Sequence, residues 1–350
     1  MEKKVVINPS HPDSLEIKNE NYARWESLKT EEYWEYRRKW NENPQNGIVE
    51  RYPLNLDIEP TNACNLRCTM CPRTIALQKD EKTVLNSEGL LSFDVFKKII
   101  DEVTEEGPKV YAVKLTHRGE PLIHKDFVKM VRYAKEKGII DVMANTNGVL
   151  LNRELSEEII DAGIDRMLFS FDAASKEKYE KIRVGAKYEE VLENIKEFAS
   201  IRNAKKAWNT MIRVSMVMQD ETIDEMEDYK KLFGGGTLAD VVSFNRLVKE
   251  PVLVSEYEVQ DEVTGKLINM KECQFTCAQL WQRMIINYNG NVEVCCPNFK
   301  EDYVIGNAKV DSIEELWHSE KLNAMRDKHR KGEWWKIPMC KSCNFPYLER

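Results

Sequence analysis

Three cysteines within eight residues, Cys64, Cys68 and Cys71, constrain this chain more than any other feature. They are spaced C-x3-C-x2-C in the segment Glu59-Pro60-Thr61-Asn62-Ala63-Cys64-Asn65-Leu66-Arg67-Cys68-Thr69-Met70-Cys71-Pro72-Arg73. A strand-like stretch, Leu54-Asn55-Leu56-Asp57-Ile58-Glu59, precedes them. The thiols therefore sit on a loop at the C-terminal end of a strand, the end at which parallel α/β folds place their chemistry. Three thiolates on one short loop can cap three irons of a cubane cluster. The fourth iron is then open, and an open coordination position is where chemistry happens. A zinc site would want a fourth Cys or His close by in the chain, and none is present. A redox dithiol needs only C-x2-C and leaves Cys64 unexplained.

Six further cysteines, Cys273, Cys277, Cys295, Cys296, Cys340 and Cys343, lie in the last eighty residues, and none falls between 71 and 273. An odd total of nine argues against a disulfide framework. The grouping suggests two metal sites, one towards each end. The formal net charge of −7 repels phosphate backbones, so nucleic acid is not an expected partner. No apolar run approaches the ~20 residues that span a bilayer. The start, Met1-Glu2-Lys3-Lys4, leads into no signal-peptide core, which makes the cytoplasm the expected location.

Between these cysteine groups the pattern alternates. Strands are expected at 54–59, 110–116, 139–144, 166–171, 211–218 and 241–247. Helices are expected between them: one capped by Ser92, one stopped by Gly138, one running from Asn152 to Gly163, further ones over about 175–203, and one around 222–232. Alternation of this kind implies a parallel sheet with helices outside, and six units suit an open or partial barrel. Gly234-Gly235-Gly236 reads as a helix–strand connection, since a phosphate loop would end in Lys-Ser/Thr. Residues 1–50 read as an N-terminal helical extension. Tyr33, Tyr36 and Trp40 form a stripe at helical spacing, suited either to packing on the main body or to a lid. Residues 51–250 form the barrel and 251–350 a small second domain, with 248–272 as a connector. The run from Met284 to Cys295 is expected to be a β-hairpin turning at Asn289-Gly290, with helices at about 312–330.

The C-x3-C-x2-C motif, with Met70 as the apolar residue before the third cysteine, resembles the signature of the radical S-adenosylmethionine (SAM) superfamily. The resemblance covers roughly residues 54–250. It implies a [4Fe–4S] cluster on Cys64, Cys68 and Cys71, SAM chelated at the fourth iron, and a 5′-deoxyadenosyl radical that abstracts hydrogen from substrate. It also implies a partial (βα)6 barrel. His117-Arg118-Gly119-Glu120-Pro121 is similar to the family's Gly-Gly-Glu-Pro motif beside the SAM amino group, with Arg118 in place of the first glycine. Asn145-Thr146-Asn147-Gly148 is similar to the family's Thr-Asn-Gly. The resemblance marks Met70, Gly119, Glu120, Asn147, Ser170 and Arg213 as SAM-binding candidates.

The later cysteines are spaced Cys277-x12-Gly290-x4-Cys295, then Cys340-x2-Cys343. Four thiolates suit structural zinc or [4Fe–4S] equally. The spacing around Gly290 resembles the opening of the SPASM and twitch domains, which implies an auxiliary [4Fe–4S] cluster on Cys277, Cys295, Cys340 and Cys343. Four protein ligands leave no open iron, so electron transfer suits that cluster better than substrate binding. Cys273 and Cys296 remain, either as small buried side chains or as hydrogen-atom donors to a substrate radical. Cys296 is also an alternative to Cys295 as the ligand.

The expected activity is that of a radical SAM oxidoreductase acting on a sugar, aminocyclitol or similar small molecule, with the auxiliary cluster accepting an electron. A peptide-modifying SPASM maturase and a redox-neutral epimerase are the alternatives. All three would draw electrons from a carrier such as flavodoxin or ferredoxin. The two cysteine sets predict about eight irons per chain after anaerobic reconstitution, and about four once Cys64, Cys68 and Cys71 are all replaced. Stoichiometric zinc with only four irons in the unmutated protein would rule out the second cluster.

Overall fold

Six strands carry the architecture: β3 (Asn55–Ile58), β4 (Ala112–Leu115), β5 (Asp141–Thr146), β6 (Arg166–Ser170), β7 (Met211–Met218) and β8 (Val241–Arg246). β1 (Val6–Ile7) and β2 (Leu15–Lys18) precede them. The computed structural model describes residues 6–7, 15–79, 85, 87–105, 110–247, 252–260, 265–295, 301–343 and 345–347. From β3 to β8 each strand pairs with the next in parallel. Helices α3 (Pro72–Gln78), α4 (Phe93–Thr104), α5 (Phe127–Glu136), α6 (Arg153–Asp161), α7 (Lys176–Ile182), α8 (Tyr188–Ala204) and α9 (Met226–Phe233) fill the crossovers. The result is the mixed α/β, partial (βα)6 barrel that the sequence led us to expect.

The expected helix punctuation is present. Ser92 accepts a hydrogen bond from the Val95 N–H at 3.2 Å and Asn152 from the Leu155 N–H at 2.8 Å. Gly138 and Gly163 take φ of +89° and +87°, left-handed values that favour glycine after a helix. The apolar side chains of the strands alternate. Leu56, Ile58, Val113, Leu115, Val142, Ala144, Met167 and Phe169 face the helices and form the main core. The residues between them turn to the concave side.

The N-terminal segment is α1 (Glu20–Ser27) and α2 (Glu31–Asn46), preceded by β2. Trp25, Tyr33, Tyr36 and Trp40 pack with Leu54, Ala112, Met211 and Val241 from the beginnings of β3, β4, β7 and β8. The aromatic stripe thus seals the barrel's N-terminal end, opposite the cysteine loop, and is not a lid over it. Trp25 also donates its indole N–H to Asn209 O at 3.0 Å. β2 was not foreseen. It is a four-residue edge strand lying antiparallel to β8, a partner more than two hundred residues away, and local periodicity does not encode such a pairing.

The C-terminal third departs from expectation in two ways. The supposed connector holds a three-stranded antiparallel sheet, β9 (Val252–Leu253), β10 (Glu258–Gln260) and β11 (Leu267–Asn269). Its strands are too short to give a period-2 signal. β12 (Thr276–Cys277) pairs in parallel with β1. The hairpin of β13 (Arg283–Ile286) and β14 (Asn291–Glu293) does form, with Gly290 at φ +89°. Yet β13 also lies parallel to β3, and β15 (Gly306–Asn307) adds to β14. One sheet therefore runs β15-β14-β13-β3-β4-β5-β6-β7-β8-β2 through barrel and C-terminal region alike. Helices α10 (Ile313–Trp317), α11 (Glu320–Arg330) and α12 (Pro338–Lys341) pack beside it.

Removing the more deeply buried of the seal's two tryptophans tests its weight. Trp25→Ala is expected to lower unfolding stability by about 3–5 kcal/mol, the usual range for truncating a buried tryptophan, measured by denaturant titration of the protein held under one set of anaerobic conditions.

Candidate active site

The cysteine loop leaves the end of β3 and is fixed by its own backbone and by two neighbouring loops. Asn62 brackets it, donating to Ser87 O at 2.8 Å and accepting from Gly89 N–H at 2.9 Å. Arg67 N–H donates to Val184 O and Thr69 N–H to Ile182 O. Cys71 sits at the N-cap of α3, with Pro72 as its first helical residue. Cys68 is buried, and Cys64 and Cys71 are half-buried. Burial pushes the Cys68 thiol up to about 11, while the Arg183 guanidinium pulls the other way and Cys71, Asp172 and Cys64 add to the rise. Arg183 is itself paired with buried Asp172, Nε to Oδ2 at 2.6 Å. Sequence reasoning missed Arg183, which lies beyond the end of α7 in no recognisable motif.

The Gly119-Glu120 turn packs straight onto this loop. A Cβ at Gly119 would lie 2.2 Å from Thr61 O and 2.5 Å from Ala63 O, so only glycine fits. Glu120 N–H donates to Ala63 O at 2.8 Å. The Glu120 carboxylate is buried and committed: it accepts from Leu122 N–H, from the Thr146 hydroxyl at 2.7 Å and from Asn147 N–H at 2.8 Å. Asn147 in turn donates to Asn65 Oδ1 at 2.8 Å. Gly119, Glu120 and Asn147 are thus brought together with the thiol loop, and Glu120 works as a bracket between the ends of β4 and β5. Met70 is half-buried on the same loop and Ser170 half-buried at the end of β6. Arg213 lies deeper, bonded to Ser243 Oγ at 2.7 Å and paired with Glu16 of β2 at 2.9 Å.

Arg118, the residue that departs from the motif, points away from this surface. Its guanidinium grips Glu59 through two nitrogens, at 2.8 and 2.6 Å, and reaches Glu301 with the third at 2.8 Å. Glu59 accepts further bonds from the N–H groups of Arg118 and Tyr288. This buried cage links the end of β3, the 117–121 turn and the segment that follows Cys295.

Of the later cysteines, Cys277 ends β12 and Cys340 lies in α12, with Cys343 just beyond it. Burial and the nearby Cys277 thiol push the Cys340 thiol up strongly. Cys295 follows β14 by two residues instead of ending it. Cys273 is half-buried, 3.6 Å from Asn269 O. Cys296 lies outside the described residues. Among the described residues, no three Cys, His, Asp or Glu side chains converge as a single metal ion requires. Three thiols on one loop and the backbone cradle at Gly119 fit a [4Fe–4S] cluster.

Residues 58–233 match the radical SAM superfamily, half of the chain. The protein belongs to that superfamily. Residues 277–344 match the SPASM iron-sulfur cluster-binding domain. The cofactors of this radical SAM protein are those of its two families, [4Fe–4S] clusters and SAM. It is 37% identical over 117 residues to a tungsten-containing aldehyde ferredoxin oxidoreductase cofactor-modifying protein of Pyrococcus furiosus, covering 33% of this chain and 30% of that one. It is 33% identical over 165 residues to GTP 3′,8-cyclase of Lactiplantibacillus plantarum, covering 47% of each. The matches thus span about a third to a half of these relatives' lengths. Among solved structures it resembles anSMEcpe with bound AdoMet (TM-score 0.59, 16% identity, 84% of this chain and 90% of that one). It also resembles Streptococcus suis SuiB bound to precursor peptide SuiA (0.57, 14%, 91% and 76%) and BtrN in complex with AdoMet and 2-DOIA (0.52, 16%, 85% and 94%). At these identities the likeness is one of fold. No helix among the described residues is long and apolar enough to cross a membrane.

The Arg118 cage yields a stability test. Arg118→Met leaves the Glu59 and Glu301 carboxylates buried without their cation and is expected to cost about 3–5 kcal/mol. Adding Glu301→Gln should restore part of that loss, so that the double variant is more stable than the sum of the two single losses predicts. Strict additivity in denaturant unfolding would show that the cage is not an energetic unit.

Proposed function

We propose that this radical SAM enzyme is an oxidoreductase acting on a small, polar substrate such as a sugar or aminocyclitol. The observation that carries this reading is the character of the barrel's concave face. The residues alternating with the helix-side core include Asp57, Lys114, Asn145, Ser170, Ser215 and Asn245, polar groups interspersed with apolar ones such as Met143, Leu168 and Val217. Several are half-buried, as befits the wall of an open lumen. Asn145 Oδ1 is buried without a partner, and Ser243 and Asn245 lie in one hydrogen-bonded line with Arg213. Buried donors and acceptors favour a ligand that can pair with them and penalise one that cannot.

Cys64, Cys68 and Cys71 would hold the first [4Fe–4S] cluster, which with SAM would supply the radical chemistry of hydrogen-atom removal from substrate. The Arg183–Asp172 ion pair lies close enough to Cys68 to act on its charge from both sides. Glu120, Asn147 and Asn65 hold the ends of β4 and β5 against the thiol loop, with Gly119 allowing the close approach. Met70, Ser170 and Arg213 complete the candidate set for SAM. The aromatic seal of α1 and α2 closes the far end of the lumen to water. Cys277, Cys295, Cys340 and Cys343 would hold the second cluster, which would supply an acceptor for the second electron of an oxidation. Cys273 and Cys296 are the thiols that an epimerase reading would use. A cytoplasmic setting and an electron carrier such as flavodoxin or ferredoxin belong to the same proposal.

The test is anaerobic turnover with SAM and reductant, in D2O, against panels of polyols, aminocyclitols and peptides. Oxidation of a small molecule gives a product about two mass units lighter, with no deuterium fixed at carbon. Deuterium at carbon without an oxidised product would reject oxidation in favour of epimerisation. Modification confined to peptides would reject the small-molecule substrate and leave the superfamily assignment intact.

A further inference from the structure

Close to the later cysteines lies a histidine that no motif marks. His329 is in the last turn of α11 and is fully buried. Its Nδ1 accepts the backbone N–H of Cys277 at 3.3 Å. Its Nε2 lies 3.7 Å from the sulfur of Cys340, within reach of a hydrogen bond to sulfur. Its ring meets Phe275 edge-on, with centroids 5.7 Å apart, and Phe275 packs in the same way on Trp334.

The two contacts together fix the tautomer. A backbone N–H can only donate, so Nδ1 must present its lone pair to Cys277. A neutral imidazole then carries its single proton on Nε2, the nitrogen that faces Cys340. The bond therefore runs from His329 Nε2–H to the Cys340 sulfur, and the same ring holds the backbone of Cys277. A core histidine kept only for packing would not need both nitrogens spent on two segments that each supply a cysteine of the SPASM match.

We propose that His329 is a positioning residue for the auxiliary cluster, donating a hydrogen bond to the Cys340 thiolate and thereby raising the cluster's reduction potential. This rests on the reading that Cys277, Cys295, Cys340 and Cys343 hold that cluster. A donor to a cluster thiolate draws off electron density and favours the more negative, reduced state, one of the established ways in which proteins set iron–sulfur potentials. The effect is on the equilibrium for accepting one electron. No bond to His329 forms or breaks, and no proton leaves it. An auxiliary cluster tuned upward is a better acceptor for an electron leaving a substrate radical, which is the direction that oxidation requires.

The experiment compares the reconstituted wild-type protein with His329→Leu and His329→Gln. The readouts are iron content, the midpoint potential of each cluster by EPR-monitored titration, and nitrogen couplings to the reduced auxiliary cluster in histidine-15N-labelled wild type. We expect about eight irons in all three and a lower auxiliary potential in His329→Leu. We also expect a value nearer wild type in His329→Gln, which keeps an N–H donor, and an unchanged potential for the cluster on Cys64, Cys68 and Cys71. The labelled wild type should show a weak coupling, as for a nitrogen joined to the cluster through hydrogen and sulfur. An unshifted potential in His329→Leu overturns the inference. So does a strong coupling typical of a direct iron–nitrogen bond, or the absence of any coupling. The labelled sample decides the matter even if His329→Leu fails to hold its iron. Only about four irons in the wild type would instead sink the auxiliary-cluster reading itself, a result distinct from the others.

Discussion

The junction of the molecule is Arg118, held between Glu59 and Glu301 with all three side chains out of reach of solvent. A buried guanidinium is tolerated only when its charge and its fork of donors are met. Here Glu59 takes a bidentate grip and Glu301 the remaining nitrogen. Each partner anchors a different piece of chain. Glu59 ends the strand that feeds the thiol loop, Arg118 opens the turn that packs on that loop, and Glu301 follows the hairpin bearing Cys295. Tyr288, at the hairpin turn, adds its N–H to Glu59. The parallel pairing of β13 with β3 runs alongside. The barrel and the C-terminal region are therefore continuous in hydrogen bonding and in electrostatics, and the two cysteine sets are fixed within one framework.

That framework separates two kinds of surface on the same strands. The faces turned to the helices are almost wholly apolar, while the concave faces carry carboxylates, amides, hydroxyls and basic groups. Alternation along a strand makes this possible without any compromise in the core. The inward charges are largely paired, as in Arg283 with Asp57 at 3.0 Å and Arg213 with Glu16 at 2.9 Å. Pairing fixes their positions and leaves the neutral hydroxyl and amide groups nearer the strand ends to meet a ligand.

Much of the fold was legible because its signals are local. The six barrel strands fall where apolar runs and turn residues place them, and Ser92, Asn152, Gly138 and Gly163 mark helix ends as their chemistry requires. The thiol loop was legible for the same reason: its three cysteines are near neighbours in sequence. What escaped is non-local. β2 finds β8, and β13 finds β3, across more than two hundred residues. β9, β10 and β11 are too short to show a period. Arg183, Glu301 and His329 each combine a partner some ten residues away with one far off in the chain, and no motif encodes such a pairing. Arg118 was noticed as a departure from a glycine, but its reason, a carboxylate cage assembled from three segments, could not be read from the motif.

The pairing of β2 with β8 has a consequence for how the chain is made. On a ribosome, Leu15–Lys18 emerges early, while its partner Val241–Arg246 emerges last of the six barrel strands. The edge of β2 and the aromatic face of α1 and α2 must therefore wait, uncovered, through the synthesis of most of the barrel. β3 waits through a similar length of chain for β13 on its outer side. Contacts so far apart in sequence close slowly, and exposed strand edges and aromatic surface are what chaperones bind. The thiol loop is itself held by Ile182, Val184 and Asn147, so its frame is complete only once the chain has grown past α7. Synthesis of this protein thus has a natural order, with the β8 side of the barrel closed before the β13 side.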